Sequence, residues 1–372
     1  MHIVFLARSL ERGGTERQLI ALAKGLHARG HRVTVATFYD GGELAGELEA
    51  GGVRRVSLGK SGRWDLIGFT ARLRRLLAAE RPDILHGYLP PANIAAALIR
   101  PLAPRYRLVW GVRAGFMDLA RYDRFARLVD GIERRLSRRA DLIIANSQAG
   151  LEYAVSRGFP RRAMRIVHNG IDTARFAPRP EAAQALRAEW GVAPDAEVVG
   201  LSARLDPIKD HETFLRAFKH LTELRPKVRG VVLGDGPEAT RTRLQTLAKE
   251  LSIAEHLVWL PFVPEPASLY SAFDVACSSS AGESFPNTLA EAMACGVPCV
   301  ATRVGESETI LGDTGVLVPA RDPMALGTAL AAQLEQRKGD PALGAAARQR
   351  IEEHFSLARM IDRSERLLSE LV

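Results

Sequence analysis

The chain has 372 residues, 47% apolar and 25% charged, too long for one ordinary core and suited to two domains of ~150–200 residues. That balance excludes a disordered chain, and the longest apolar runs, 93–99 and 297–302, fall well short of the ~18 residues a membrane-spanning helix needs. The net charge of +8 is unevenly placed: residues 1–175 hold 30 Lys and Arg against 16 Asp and Glu, and the remainder hold 21 against 27.

Residues 2–7 read as a buried strand and lack the basic start and small-residue cleavage site of a secretory leader, so the cytosol is the expected compartment. Short β-branched runs follow at 32–38, 53–58, 83–88, 107–112, 141–146 and 165–168, with helical patterns such as 16–29, 66–80 and 147–157 between them. The second half repeats the alternation, with strands at 198–203, 230–234, 257–262, 275–280, 298–302 and 315–318. Its helical patterns include 212–224, 241–251, 289–295 and 324–336, and 357–371 reads as a last amphipathic helix. Such alternation means parallel sheets with helices on both faces. The expectation is an α/β chain of two Rossmann-like domains whose parallel sheets face each other across a cleft, with ligands outside the carboxyl ends of the strands. The break falls after Asn169-Gly-Ile-Asp172, because Ala177-Pro-Arg-Pro180 interrupts the periodicity. The domains are then 1–176 and 177–355, with 356–372 packing back on the first.

The basic excess is densest over 121–139, where Arg121, Arg124, Arg127, Arg134, Arg135, Arg138 and Arg139 accompany Phe125, Leu128, Val129, Ile132 and Leu136 at helical spacing. Such a helix is either a solvated face or a contact for an anionic membrane surface. No aromatic stacking set accompanies the charge, so nucleic acid is not an expected partner. Cys277, Cys295 and Cys299 form no CxxC, and no His is spaced to complete a metal site. They are expected to be reduced, inert thiols.

Four motifs carry chemistry. Arg12-Gly-Gly-Thr-Glu16 follows the first strand; paired glycines admit positive φ and close backbone approach, and the next helix offers amides to an anion. Without GxGxxG, dinucleotide binding loses its main support. Ser202-Ala-Arg204-Leu-Asp-Pro-Ile-Lys209 puts two cations at the carboxyl end of a strand, where Arg204 can grip phosphate bidentately and Lys209 adds a compact charge. Leu233-Gly-Asp-Gly-Pro-Glu238 permits tight passage past a ligand at Gly234, or is simply a turn. Most informative is Glu283-Ser-Phe-Pro-Asn-Thr-Leu-Ala-Glu291. Pro286 suits the first helical position, the amides of Asn287 and Thr288 face an anion, and Glu291 lies one turn below Thr288. An anion cradle flanked by two carboxylates fits a nucleotide sugar.

Together these motifs resemble the retaining glycosyltransferases of family 4 (glycosyl transferases group 1), with the GT-B two-domain fold, over the full length of the chain. The resemblance rests on the turn ending in Glu16, on Asn169-Gly-Ile-Asp172, on Arg204 with Lys209, on the Gly234 turn, and on Glu283 to Glu291 with Ala292-Met-Ala-Cys-Gly-Val-Pro298 behind it. It implies that Arg204 and Lys209 hold the donor diphosphate and neutralise the leaving group, while Glu283 touches donor sugar hydroxyls; these three are the implied catalytic set. It places the backbone of Phe285, Pro286, Asn287 and Thr288 beside sugar and phosphate, and Glu291 on the ribose. Gly14 and Gly234 match donor-side turns, and Phe262 and Val263 match the region near the base. Many members carry His where this chain has Arg113; Arg stays protonated, so no proton handling is expected there. Arg113, Glu16, His86, Tyr88 and Asn93 are the candidate acceptor or sugar contacts.

The implied activity is metal-independent transfer, with retention, from a nucleoside diphosphate sugar (a UDP sugar favoured) to an acceptor hydroxyl in cell-surface polysaccharide or glycolipid synthesis. No cofactor is expected, since the nucleotide sugar is a substrate. The acceptor is a glycan or lipid-linked, and the basic first domain suits the inner face of a membrane. Two alternatives stand. A sugar-nucleotide epimerase on the same fold would convert donor with no acceptor, and a non-catalytic nucleotide-sugar-binding protein would never release free nucleoside diphosphate.

Overall fold

In the first unit the short apolar runs become strands β1 (His2–Ala7), β2 (Arg32–Thr37), β3 (Arg54–Ser57), β4 (Ile84–Tyr88), β5 (Arg107–Val112), β6 (Leu142–Ala145) and β7 (Met164–Ile166). They belong to a computed structural model that describes residues 1–113, 124–263 and 266–372, the side chains of 124–127 excepted. Arg121 lies outside the described residues, as do the side chains of Arg124, Phe125 and Arg127. All seven strands are parallel, in the order β3-β2-β1-β4-β5-β6-β7. Successive side chains of a strand point to opposite faces. Ile3 and Phe5 therefore enter one core with Leu19, Leu22 and Leu26 of helix Gly14–Ala28, while Val4 and Leu6 enter another with Leu73, Leu77, Ala96 and Trp110.

The second unit carries β8 (Val198–Ser202), β9 (Arg229–Leu233), β10 (Leu257–Leu260), β11 (Val275–Ser278), β12 (Cys299–Thr302) and β13 (Val316–Val318). These are parallel in the order β10-β9-β8-β11-β12-β13. Val198, Phe273, Leu289 and Met293 fill one face, and Val199, Leu201, Phe214, Phe218 and Leu330 fill the other. The result is the α/β pair of parallel sheets that the alternation predicts. Strand order reverses between β1 and β4 in the first sheet and between β8 and β11 in the second, the places where open sheets of this kind bind ligands.

Contacts divide the chain into Met1–Gly170 with Leu357–Val372, and Ile171–Ser356. Helix Leu357–Ser369 gives Met360, Ile361 and Leu368 to the core of the first unit. Gly25 makes room for it, since a Cβ there would stand 2.1 Å from Ile361 Cδ1. Residues 177–180, which interrupt the apolar periodicity, do not end ordered structure. Pro180 opens helix Pro180–Glu189, where its missing N–H costs nothing. No helix among the described residues is long and apolar enough to cross a membrane.

One glycine in a strand interior is required by packing. A Cβ on Gly200 of β8 would lie 2.1 Å from the Phe273 ring, and Phe273 packs edge-on against Tyr270 at 6.1 Å. Gly200→Ala is expected to overpack this contact and to lower the unfolding free energy by about 1–3 kcal/mol in a urea titration; an unchanged midpoint would show that the ring has room to yield.

Candidate functional site

Because β8 and β11 are hydrogen-bonded neighbours, the loops leaving their carboxyl ends meet. Ala281 N donates to Ile208 O at 2.8 Å, and Ser279 Oγ donates to Lys209 O at 3.0 Å. Asp206 Oδ1 accepts from Ile208 N at 3.0 Å and sets the tight turn Pro207–Lys209. Asp210 follows at φ 46°, a left-handed backbone that aspartate tolerates better than most residues. It caps helix His211–Leu224 by accepting from Thr213 N at 3.2 Å and Thr213 Oγ1 at 2.7 Å. On this stand Lys209 Nζ reaches Glu283 Oε1 at 2.5 Å, and Ser280 Oγ donates to the same oxygen at 2.7 Å. The side chains are 22% and 10% exposed, so solvent screens the pair only partly. Both bonds land on Oε1, and Oε2 accepts none among the described residues. Arg204 is different: its side chain is 72% exposed and pairs with Asp206 Oδ2 at 3.2 Å.

Helix Asn287–Ala294 begins one residue later than the spacing predicts. Pro286 is its N-cap, at φ −72° and ψ 91°, with its carbonyl accepting from Leu289 N at 3.2 Å and Ala290 N at 3.4 Å. The amides of Asn287 and Thr288 fall in the first turn, ahead of those bonds. Glu291, on the second turn, is held by a residue that the motifs do not include. Tyr270 OH donates to Glu291 Oε2 at 2.9 Å and lies 3.1 Å from Ser202 Oγ. The phenol has one proton, which goes to the carboxylate as the stronger acceptor, so Ser202 is the donor in the other contact. Burial, then the charge of Glu291, pushes the Tyr270 hydroxyl well above its usual range, so it stays a fixed donor. Tyr270 stands in a run of small, polar and apolar residues, Pro266 to Val275, with no motif around it.

Several donor-side candidates also pack against the chain itself. Gly234 takes φ 150°, and a Cβ there would lie 2.1 Å from Ala203 O; the close approach it permits is to the chain's own Arg204 loop. Neither Gly13 nor Gly14 has positive φ: Gly13 is an extended N-cap and Gly14 the first residue of its helix. The space beside Gly13 is filled by the Glu16 carboxylate, whose pKa burial raises against its own backbone N–H. Phe285 is buried, its ring 5.8 Å from that of Phe355, so only its backbone faces outward chemistry. Phe262 and Val263 lie just past β10, half-buried.

In the first unit, Arg113 follows β5 and donates to Tyr88 OH at 2.6 Å and to Asn169 Oδ1 at 3.2 Å. Gly170, next to Asn169, exchanges two 2.9 Å hydrogen bonds with the Gln18 side chain. These bonds give the Asn169-Gly-Ile-Asp172 motif a structural job. His86 and Asn93 are not surface contacts. His86 lies inside β4 with no exposure, 5.2 Å from the Phe5 ring and 5.0 Å from Tyr88, and burial, then the charge of Arg113, holds it well below the usual histidine range. Asn93 is equally buried, and its Nδ2 donates to Gly111 O at 3.1 Å. Cys277, Cys295 and Cys299 are buried free thiols, and burial pushes Cys295 up to about 12. Among the described residues no group of three or more His, Cys, Asp or Glu is placed to hold a metal.

Two parallel α/β units, one of them gathering cations, acids and a helix start at its strand-order reversal, define the GT-B class. Residues 12–175 match Glycosyltransferase Family 4 and residues 183–350 match Glycosyl transferases group 1; the chain belongs to this glycosyltransferase family. It is 32% identical over 383 residues to D-inositol 3-phosphate glycosyltransferase of Geodermatophilus obscurus, across 94% of this chain and 83% of that protein. The protein of the same description from Mycobacteroides abscessus is 33% identical over 271 residues, 68% of this chain but 59% of the relative's length. In fold the chain is similar to Anabaena Alr3699/HepE, solved in complex with UDP, with a TM-score of 0.88 and 24% identity over all of both chains.

The base of the Lys209 stand predicts a pH dependence. Burial lowers His211 to about 4, with the charge of Lys209 adding to the effect. The unfolded chain binds this proton near pH 6.5 and the folded chain only near 4, so the stability is fully present above pH 6.5 and is lost as pH falls through that window. The loss is worth up to about 3 kcal/mol. Urea titrations from pH 7 to 4 should show the fall, and His211→Asn should flatten it.

Proposed function

We propose that the protein is a retaining, metal-independent glycosyltransferase that moves a sugar from a nucleoside diphosphate sugar, a UDP sugar foremost, to an acceptor hydroxyl in cell-surface polysaccharide or glycolipid synthesis. The observation that carries this reading is the Lys209–Glu283 pair, a cation for a diphosphate and a carboxylate for hydroxyls held 2.5 Å apart at the carboxyl edge of the second sheet. In the reaction, the bond from the anomeric carbon to the diphosphate oxygen breaks and its electron pair leaves with the diphosphate. The acceptor oxygen forms the new bond on the same face, and its proton passes to the departing phosphate. Charge gathers on the diphosphate, where Lys209 and the first-turn amides of helix Asn287–Ala294 are already fixed in place to stabilise it, and the exposed Arg204 swings from Asp206 to add its charge. Glu283 keeps Oε2 for a sugar hydroxyl, and Tyr270 orients Glu291 toward the ribose. Likeness to a protein solved with UDP supports the uridine choice.

Lys209→Ala and Arg204→Ala are each expected to lower turnover about 100-fold or more while circular dichroism is unchanged. The assay is acceptor-dependent release of nucleoside diphosphate from a panel of donors; rates within a few-fold of wild type would remove these roles. Conversion of donor with no acceptor present would instead favour the epimerase.

The basic first unit supports a lipid-linked acceptor at an anionic membrane face. Arg100, Arg138, Arg139 and Arg162 line a cavity of about 760 Å³ with a single acid, Asp141. Leu128 and Ile132 of helix Arg124–Leu136 are 59% and 39% exposed nearby in sequence. Binding to anionic vesicles in a flotation assay should weaken steeply as salt rises from 50 to about 500 mM, since screening lengths shrink to a few Å; salt-independent binding would rule out the electrostatic contact.

A further inference from the structure

β5, β6 and β7 are parallel neighbours, so the chain enters all three from the same edge of the first sheet. One short turn stands ahead of each: Arg100–Leu102 before β5, Ser137–Arg139 before β6 and Arg161–Ala163 before β7. This is the amino edge, at the opposite end of the strands from the carboxyl edge where open sheets bind ligands. Arg100, Arg138, Arg139 and Arg162 ride on those turns and line one cavity of about 760 Å³. Arg113 and Arg124, which bound residues 114–123, lie at the other ends of β5 and of helix Arg124–Leu136, each about 20 Å along its element from this edge.

The wall of the cavity is held in place by its own hydrogen bonds. Ala140 N donates to Ser137 O at 3.1 Å and Ala163 N to Pro160 O at 3.0 Å. The buried Ser137 donates through Oγ to Arg134 O at 2.7 Å. Arg100 is pinned, since Nη1 donates to Arg139 O at 2.5 Å and Nη2 to Asp141 Oδ2 at 2.8 Å. Asp141 is the one acid of the lining, and the same oxygen accepts from Leu108 N at 2.7 Å, so it braces the wall. Arg138, Arg139 and Arg162 are exposed, and among the described residues their side chains make no hydrogen bond or ion pair.

Four guanidiniums around one space repel one another, and a concave wall of one sign concentrates its field there. An anion that relieves this must offer oxygens in several directions. A carboxylate has two oxygens in one plane and is matched by a single arginine fork. A phosphate monoester or a diphosphate has three oxygens or more and about two negative charges, so guanidiniums from three separate turns each find a partner. No aromatic side chain lines the cavity, so nothing there stacks a base.

We propose that this amino-edge cavity is a ligand site of the first unit, sharing no residue with the Lys209–Glu283 site, and that it takes a compact anion bearing a phosphate monoester or a diphosphate. The inference stands whether or not the protein transfers sugar. A free phosphate and the phosphate headgroup of a lipid share this chemistry.

Titration calorimetry of inorganic pyrophosphate into the full chain, at constant ionic strength, tests it. Wild type is expected to bind. The double variant Arg138→Gln, Arg162→Gln alters two exposed side chains without partners and should weaken that binding about 10-fold or more, the range of charge-assisted hydrogen bonds. Lys209→Ala, which removes the rival cation of the second unit, should leave this component in place. No binding by wild type, loss in Lys209→Ala alone, or full binding by the double variant overturns the proposal. Vesicles of phosphatidic acid and of phosphatidylglycerol, compared by flotation at equal surface charge, separate the sources. A preference for phosphatidic acid that the double variant loses assigns a lipid headgroup. No preference between the vesicles, with pyrophosphate binding as expected, assigns a free phosphate. A preference that the double variant keeps counts against the cavity.

Discussion

Lys209 and Glu283 meet because two strands far apart in sequence are neighbours in a sheet. The register Val199↔Val275 and Leu201↔Cys277 sends the loops after β8 and β11 off the same edge, side by side. The polar contacts around Lys209 follow from that adjacency: the Ile208–Ala281 bond, the Ser279 bond to Lys209, and the shared Glu283 oxygen. The ion pair itself is worth little net stability, because desolvating two charges offsets much of their attraction. Its value is positional. A carboxylate tied through one oxygen presents the other in a fixed direction, and a cation so tied cannot wander among rotamers.

The same logic explains why glycine and proline positions near the site carry so much of the pattern. Gly234 is forced by the neighbouring Arg204 loop, and Gly200 by an aromatic ring. Such residues look like ligand-binding signals in a sequence because close approach is required in both cases. Whether the approaching atom belongs to a ligand or to the protein is decided by the folded structure and leaves no trace in the motif.

The sheets were readable from the chain because a strand buried on both faces must be apolar along its length, as Ile3 to Leu6 and Val198 to Leu201 are. The cations and acids of the second unit were readable because turn residues and charges cluster at strand ends. Helix starts were less so: Pro180 opens a helix where its sequence context suggests a break, and Pro286 caps one that it seemed to begin. The burial of His86 and Asn93 was not readable, because a polar residue near a strand end carries no mark of it; both are enclosed by contacts distant in sequence. Tyr270 was invisible for the same reason, since its partners Glu291 and Ser202 come from other elements.

The first unit is discontinuous, finished by a helix from beyond the second. On a ribosome, synthesis runs in one direction, so Leu19, Leu22 and Leu26 are made long before Met360, Ile361 and Leu368 arrive to cover them. The contiguous unit, Ile171–Ser356, can reach its native contacts while the earlier one still has an open hydrophobic flank. The first unit thus closes only after the second has been synthesised, and its apolar flank stays open until helix Leu357–Ser369 emerges.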